Sequence, residues 1–211
     1  MSAESGISTF RDANGLWENH DIMEVASIEG WRRNPQLVLE FYNQRRRQLK
    51  SVEPNAAHHY LKTLEQKYEV VIITQNVDNL HERAGSSRVL HLHGELTKVR
   101  SERDEKLVKD WTEDLHWGQT ASDGAQFRPH IVWFGEAVPM MDPAIMEVLS
   151  ADILLIIGTS MQVYPAASLI DYLPAGAVIF FIDPKGEIPY GYSQTKVIRK
   201  TATEGVLELG L

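Results

Sequence analysis

The sequence predicts an α/β protein in which a parallel sheet is covered by helices on both faces. Val70-Val-Ile-Ile-Thr74, Asp152-Ile-Leu-Leu-Ile-Ile-Gly158 and Ala177-Val-Ile-Phe-Phe-Ile-Asp183 are short, unbroken apolar runs, the pattern of strands buried on both faces. Stretches of helical periodicity separate them. Each run also ends in a polar or glycine-bearing turn: Thr74-Gln-Asn-Val-Asp78, Gly158-Thr-Ser160 and Asp183-Pro-Lys185. In open parallel sheets ligands gather at the carboxyl ends of the strands, so these turns are the first place to look for a site.

The elements follow in chain order. Ser2–Ser5 opens a helix that breaks at Gly6, and Thr9–Asn19 is a polar, glycine-bearing loop. Pro35–Leu49 carries Leu37, Val38, Phe41, Tyr42 and Leu49 at helical spacing, with Pro35 in the first turn, where its missing N–H costs little. Pro54–Tyr68 repeats the pattern with Ala57, Tyr60, Leu61, Leu64 and Tyr68. After the Val70–Thr74 strand, Met140–Leu149 is another helix. Lys196–Arg199 is a weaker fourth strand, and Glu204–Leu209 a short closing helix. Thr97–Phe127 breaks the rhythm: it is dense in charge, lacks a long apolar run, and contains the turn residues Ser122-Asp-Gly124. It reads as a small excursion, with Trp111, Leu115 and Trp117 as its anchors onto the sheet domain.

Composition bounds the function. Two hundred and eleven residues suit one domain, or a domain with a small inserted module. A net charge of −8 without a sustained Lys/Arg block excludes the electrostatic footprint of a general nucleic-acid binder. No apolar run approaches a membrane span. The absence of cysteine excludes disulfides, a thiol nucleophile and every cysteine-based zinc site. The first residues resemble neither a signal peptide nor a basic transit sequence, so the cytoplasm is the expected location.

Several side-chain groups carry chemistry, each with a plainer alternative. Gly158-Thr-Ser160 follows a buried strand, where backbone N–H groups and hydroxyls suit phosphate or ribose oxygens; the alternative is an ordinary turn. Asp183 can accept from ribose hydroxyls or close an Asx turn before Pro184. Gln75, Asn76 and Asp78 suit a neutral amide or a sugar, or cap the following helix through Asp78 or Asn79. His91-Leu-His93 would place both imidazoles on one strand face, which fits a metal pair, a general base or structural histidines. Tyr42 and Arg45 share a helix face, and a phenol beside a guanidinium suits a carboxylate. With Arg46 and Arg47 following, the alternative is a solvated basic helix end.

Taken together, five motifs in order resemble the sirtuin family of NAD-dependent protein deacylases. They are Ser5-Gly-Ile-Ser-Thr-Phe-Arg-Asp12, Thr74-Gln-Asn-Val-Asp-Asn-Leu-His81 with Ala84-Gly85, His93-Gly94, Arg128-Pro-His-Ile-Val-Trp-Phe-Gly-Glu136, and Gly158-Thr-Ser160 with Val163-Tyr-Pro165. Tyr42-x-x-Arg45 makes the bacterial and mitochondrial deacylases that prefer acidic acyl groups the most similar subgroup. The resemblance implies a Rossmann-like parallel sheet built from roughly 1–20, 52–96 and 128–211, a small helical part at roughly 21–51, and a zinc-module equivalent at roughly 97–127.

It also implies roles. His93 is the general base that activates a ribose hydroxyl of NAD, the co-substrate. Asn76 and Asp78 hold the nicotinamide carboxamide and Gln75 the ribose. Phe10 shields the anomeric carbon and Arg11 orders the loop near the phosphates. Gly158, Thr159, Ser160, Asp183 and Ala202 line the phosphate and adenosine side. An acyl-lysine protein substrate would add as a strand between Gly135–Val138, including Glu136, and Gln162–Tyr164, including Val163. Tyr42 and Arg45 would clamp a succinyl or malonyl carboxylate, with small Ala26 leaving room. The products would be nicotinamide, O-acyl-ADP-ribose and free lysine.

Three departures from the family pattern matter. The family begins with a buried strand running into Gly-Ala-Gly, and Met1 stands just past those glycines. The first strand is therefore expected to be missing, with a weak or silent NAD-binding fragment as the alternative function. The segment 97–127 has no cysteine, so no zinc is expected there. Asp183 stands where the family has Asn, which keeps an acceptor for ribose but adds charge near phosphates.

Overall fold

Side-chain caps set where most helices start. The structure is a computed structural model and describes residues 1–7, 16–17, 20–186, 191–192 and 194–211. Ser2–Ser5 forms a single 3-10 turn closed by Gly6 in a left-handed conformation. Strands β1 (Leu16–Trp17) and β2 (His20–Asp21) pair antiparallel. Helices α1 (Ile22–Val25), α2 (Ile28–Arg33) and α3 (Pro35–Leu49) follow, with Asp21, Ser27 and Asn34 accepting from backbone N–H groups of their first turns. Pro35 occupies the first helical position of α3, as its sequence predicts. Helix α4 (Ala56–Leu64) opens on a reciprocal box between Asn55 and His58. It stops short of the predicted Tyr68, because Glu65 and Gln66 turn back onto Lys62 and Thr63 with tighter bonds.

The parallel strands come in two groups. β3 (Ile72–Thr74) and β4 (Val89–His91) pair around the short helix α5 (Leu80–Arg83). Then β5 (Gly94–Ser101), β6 (Val108–Asp110) and β7 (Phe127–Ile131) form an antiparallel sheet in the order β6-β5-β7. After α6 (Met141–Val148), β8 (Ile153–Ile157), β9 (Val178–Ile182) and β10 (Lys196–Ile198) form the second parallel group. The chain closes with α7 (Ala202–Gly205) and one 3-10 turn. The predicted strands differ from β8 and β9 by one residue at each end. The segment after Gly158 holds a 3-10 helix, Ala166–Tyr172.

β3 pairs only with β4, and β8 only with β9, among the described residues. Ile72–Thr74 and Ile153–Ile157 both line one large cleft of about 1250 Å³. On the α4 side, Leu61, Leu64 and Ile72 pack with Leu155 and Ile157 in a shared apolar cluster. Two parallel strands thus present unpaired edges to the same apolar space, an arrangement that costs free energy when backbone polar groups go unmet. Met1 and Ser2 stand at its carboxyl-end mouth: a side chain on Gly158 would meet Met1 N at 2.6 Å, and Asn76 Nδ2 donates to Ser2 Oγ at 2.8 Å.

The segment 97–127 is held by packing and by side chains of α3, among them Asn43 and Arg47, whose guanidinium pairs with the Asp114 carboxylate. Leu115 is fully buried and Trp111 packs against the main core. Asn43 Nδ2 donates to Leu115 O at 3.0 Å and Asn43 Oδ1 accepts from Leu115 N at 2.8 Å. Trp117 corrects the sequence expectation: it is 55% exposed. The turn closed by Gln119 N onto His116 O carries it to a tip, where it only tilts against Trp31.

Candidate active site

Asn76 and its neighbours leave β3 in a loop fixed by the strand it follows. Asn76 N donates to Thr74 Oγ1 at 3.0 Å, and Leu80 N donates to Asp78 Oδ1 at 3.1 Å, so Asp78 supplies the side-chain acceptor at the start of α5, whose N-cap position, Asn79, makes no side-chain bond. His93 sits two residues past β4, half-buried in the same cleft. Its Nδ1 lies 3.1 Å from Gln75 O. A carbonyl only accepts, so the hydrogen is on Nδ1 and Nε2 keeps its lone pair. Burial pushes the His93 pKa below its ordinary value, which keeps the ring neutral and its Nε2 lone pair available to accept a proton. Gly94 explains the tight approach behind it: with φ at 80°, a Cβ there would lie 2.1 Å from His130 O.

His91 does not converge with His93 on a common point. It turns to Glu82 and to Asn76 O instead. Glu82, His91 and Glu95 bring ligand-type atoms within 4.8 Å, yet Glu95 is already paired with Lys98 Nζ at 2.7 Å. That cluster is an ion-paired network by its own donors and acceptors.

At the other end of the cleft, Gly158 (φ 62°) donates to Ile182 O, and Thr159 Oγ1 accepts from Met161 N. Asp183 is 7% exposed and accepts from Lys185 N at 2.9 Å, so it makes the Asx turn and also lines the cleft. Lys185 is the one lysine or arginine lining the cleft among the described residues. Ser160 does not line it. Ala202 does, with its N–H taken by Glu4 Oε1 at 2.8 Å. Phe10 and Arg11 lie outside the described residues.

The substrate side gathers Ala26, Tyr42, Gly135, Glu136, Val138, Val163 and Tyr164 on the same cleft. Tyr42 is fully buried, and its hydroxyl oxygen accepts from Trp133 Nε1 at 3.0 Å. Burial pushes the Tyr42 pKa up, so the phenol stays protonated. Arg45 lies behind this wall rather than on it. Its Nη1 donates to Phe41 O at 3.1 Å, its guanidinium stacks on the Phe41 ring, and it lines a separate cavity of about 40 Å³ beside Ile7 and Asp78. Glu136 is held by Arg128 Nη1 at 2.7 Å, by Arg100 Nη2 at 3.2 Å and by Trp133 N at 2.8 Å. Trp133 itself stacks under the Arg128 guanidinium at 3.4 Å. Sequence reasoning gave no role to Trp133, Arg128 or Glu4. Trp133 and Arg128 stood inside a quoted motif, whereas nothing local marked Glu4.

A half-buried neutral histidine, a loop of amide and carboxylate groups, and a glycine turn at two strand ends define a nucleotide-using α/β enzyme class. The Sir2 family model matches residues 1–165, and the chain belongs to that family. It is 59% identical over 209 residues to the NAD-dependent protein deacylase of Helicobacter pylori, covering 99% of this chain and 91% of that protein. The Bacteroides thetaiotaomicron protein of the same name is 54% identical over 215 residues, at 99% and 92% coverage. Among solved structures, a Sir2 homolog–NAD complex superposes with a TM-score of 0.88 at 36% identity, covering 98% of this chain and 83% of that one.

Proposed function

We propose that this chain is an NAD-dependent protein-lysine deacylase. The observation that carries the reading is His93, neutral, with Nε2 directed away from its Gln75 anchor and seated in the cleft that also holds Asn76 and Asp78. The residues fit NAD at both ends. Amide and carboxylate groups of Gln75, Asn76 and Asp78 match a carboxamide and a ribose. Thr159, Asp183 and Lys185 match ribose hydroxyls and phosphate. Bound NAD supplies an electrophilic ribose carbon and accepts the acyl group, so that nicotinamide, O-acyl-ADP-ribose and free lysine result.

The chain's own residues do the remaining work. His93 Nε2 takes the proton of a ribose hydroxyl. Asn76 and Asp78 orient the carboxamide, and Gly135–Val138 with Gln162–Tyr164 bracket an extended acyl-lysine segment by backbone bonds. A succinyl or malonyl group reaches Tyr42, whose O–H remains a donor once its oxygen has accepted from Trp133. The Arg45 charge acts on that hydroxyl from behind.

The test follows acetyl-, succinyl- and malonyl-lysine peptides by mass spectrometry with and without NAD. NAD-dependent loss of any acyl group supports the reading, and no loss from all three overturns it. Arg45→Met removes the buried charge behind Tyr42 and is expected to cut desuccinylation more than deacetylation. Equal losses on the two would remove the carboxylate preference and leave the deacylase reading intact.

A further inference from the structure

Two successive carbonyls of the loop after β3 are each held by an imidazole. His93 Nδ1 meets Gln75 O at 3.1 Å, and His91 Nδ1 meets Asn76 O at 3.2 Å. The histidines differ at the other nitrogen. His91 is 8% exposed, and its Nε2 faces Glu82 Oε1 at 2.7 Å. A carbonyl and a carboxylate both accept, and a neutral imidazole has one N–H to offer. One of the two contacts would then press lone pair against lone pair in a buried place. Only the doubly protonated ring satisfies both.

We propose that His91 is a charged positioning residue: its imidazolium bridges Glu82 to Asn76 O and holds Gln75–Asp78 where the carboxamide of NAD is received. The proposal rests on the deacylase reading for its ligand but not for its geometry. The surrounding groups agree. Glu82 of α5 and Glu95 of β5 both favour the charged ring, although Lys98 partly offsets Glu95. The neighbouring His81 of α5 is held neutral by burial, with its pKa lowered to about 4, and adds no opposing charge near neutral pH. Burial pulls the His91 pKa down, but Glu82, the Asn76 carbonyl and Glu95 together hold it above its ordinary value. A group raised in this way keeps its proton at lower pH and loses it as pH rises through its folded value. The loop is therefore held on the acid side and released on the alkaline side.

The decisive variant is Glu82→Gln. Its amide N–H donates to the Nε2 lone pair of a neutral ring, so the bridge to Asn76 O survives without charge. Nitrogen-15 NMR of the imidazoles and the KM for NAD would be followed from about pH 6 to about pH 9. In the parent chain His91 should carry both ring protons at the acid end, and the KM should rise about fivefold as it titrates, with kcat moving less. In Glu82→Gln the ring should be neutral throughout and the KM flat. A neutral His91 in the parent near its ordinary pKa of about 6.5 overturns the proposal. So does an identical KM slope in both proteins. If no peptide is deacylated, NAD affinity by calorimetry replaces the KM. An imidazolium with pH-dependent affinity would then sustain the proposal while the deacylase reading falls.

Discussion

Asn43→Ala tests what holds the cysteine-free segment 97–127 to the rest of the molecule. Asn43 is 2% exposed and makes three bonds: one from Leu115 N, one to Leu115 O, and one from Arg46 Nη1 at 2.9 Å. Truncation leaves a backbone donor, a backbone acceptor and a guanidinium N–H buried without these partners. Each such group costs roughly 1 to 3 kcal/mol, so even with partial entry of water the loss should reach about 3 to 5 kcal/mol. Urea unfolding followed by tryptophan fluorescence measures the total. Limited trypsin digestion localises it, because Arg103, Lys106 and Lys109 are exposed in this segment. Faster cleavage at those three sites, before cleavage elsewhere, is the expected pattern. A loss below about 1 kcal/mol, with unchanged cleavage there, would refute the anchoring argument.

Glu136→Gln removes the anion shared by Arg100 and Arg128, whose side chains are 9% and 5% exposed, and should cost about 3 to 5 kcal/mol in thermal or urea unfolding. Its arginine partners hold the Glu136 carboxyl below the ordinary range despite the opposing effect of burial. In the parent this stabilisation is present above the unfolded value and is lost as pH falls through the folded value, so the gap between parent and variant should narrow in acid. Tyr42→Phe takes the acceptor from Trp133 Nε1 inside the core and should lower stability by about 1 to 3 kcal/mol; an unchanged unfolding midpoint would show that the bond contributes nothing. Because burial lowers the His93 pKa, the acid limb of kcat/KM should have its midpoint below about 6.5, and a midpoint above that value would exclude His93 as the base.

Much of this fold was legible because it is written in short-range patterns. Pro35 and the apolar spacing of α3 delimited that helix residue for residue, and the unbroken runs located β8 and β9 within one position. The antiparallel strands β5 to β7 were not legible. Their residues alternate charge with small apolar groups, and a partly solvated sheet of this kind looks like loop in a single sequence. The site divides along the same line. Turn chemistry after the strands marked His93, Asn76 and Asp78 as candidates, but only the resemblance to the sirtuin family joined them in one site. Arg45 was assigned to the Tyr42 face by helical spacing, which fixes the direction of a side chain from its axis but not what stands in front of it. The partners of His91 come from α5 and from the loop after β3, and no local pattern announces a pairing made in three dimensions.

The contact between Glu4 and α7 has a consequence for the order of events during synthesis. Glu4 accepts from Ala202 N at 2.8 Å and from Thr203 N at 3.0 Å, across a separation of 198 residues for the first of these. At ribosomal speeds of roughly 5 to 20 residues per second, about 10 to 40 seconds pass between the appearance of the carboxylate and that of its partner. Throughout that interval the first turn lacks this clamp, and one wall of the cleft cannot close. Glu4 is made long before the backbone groups that fix it, and is set in place only after them.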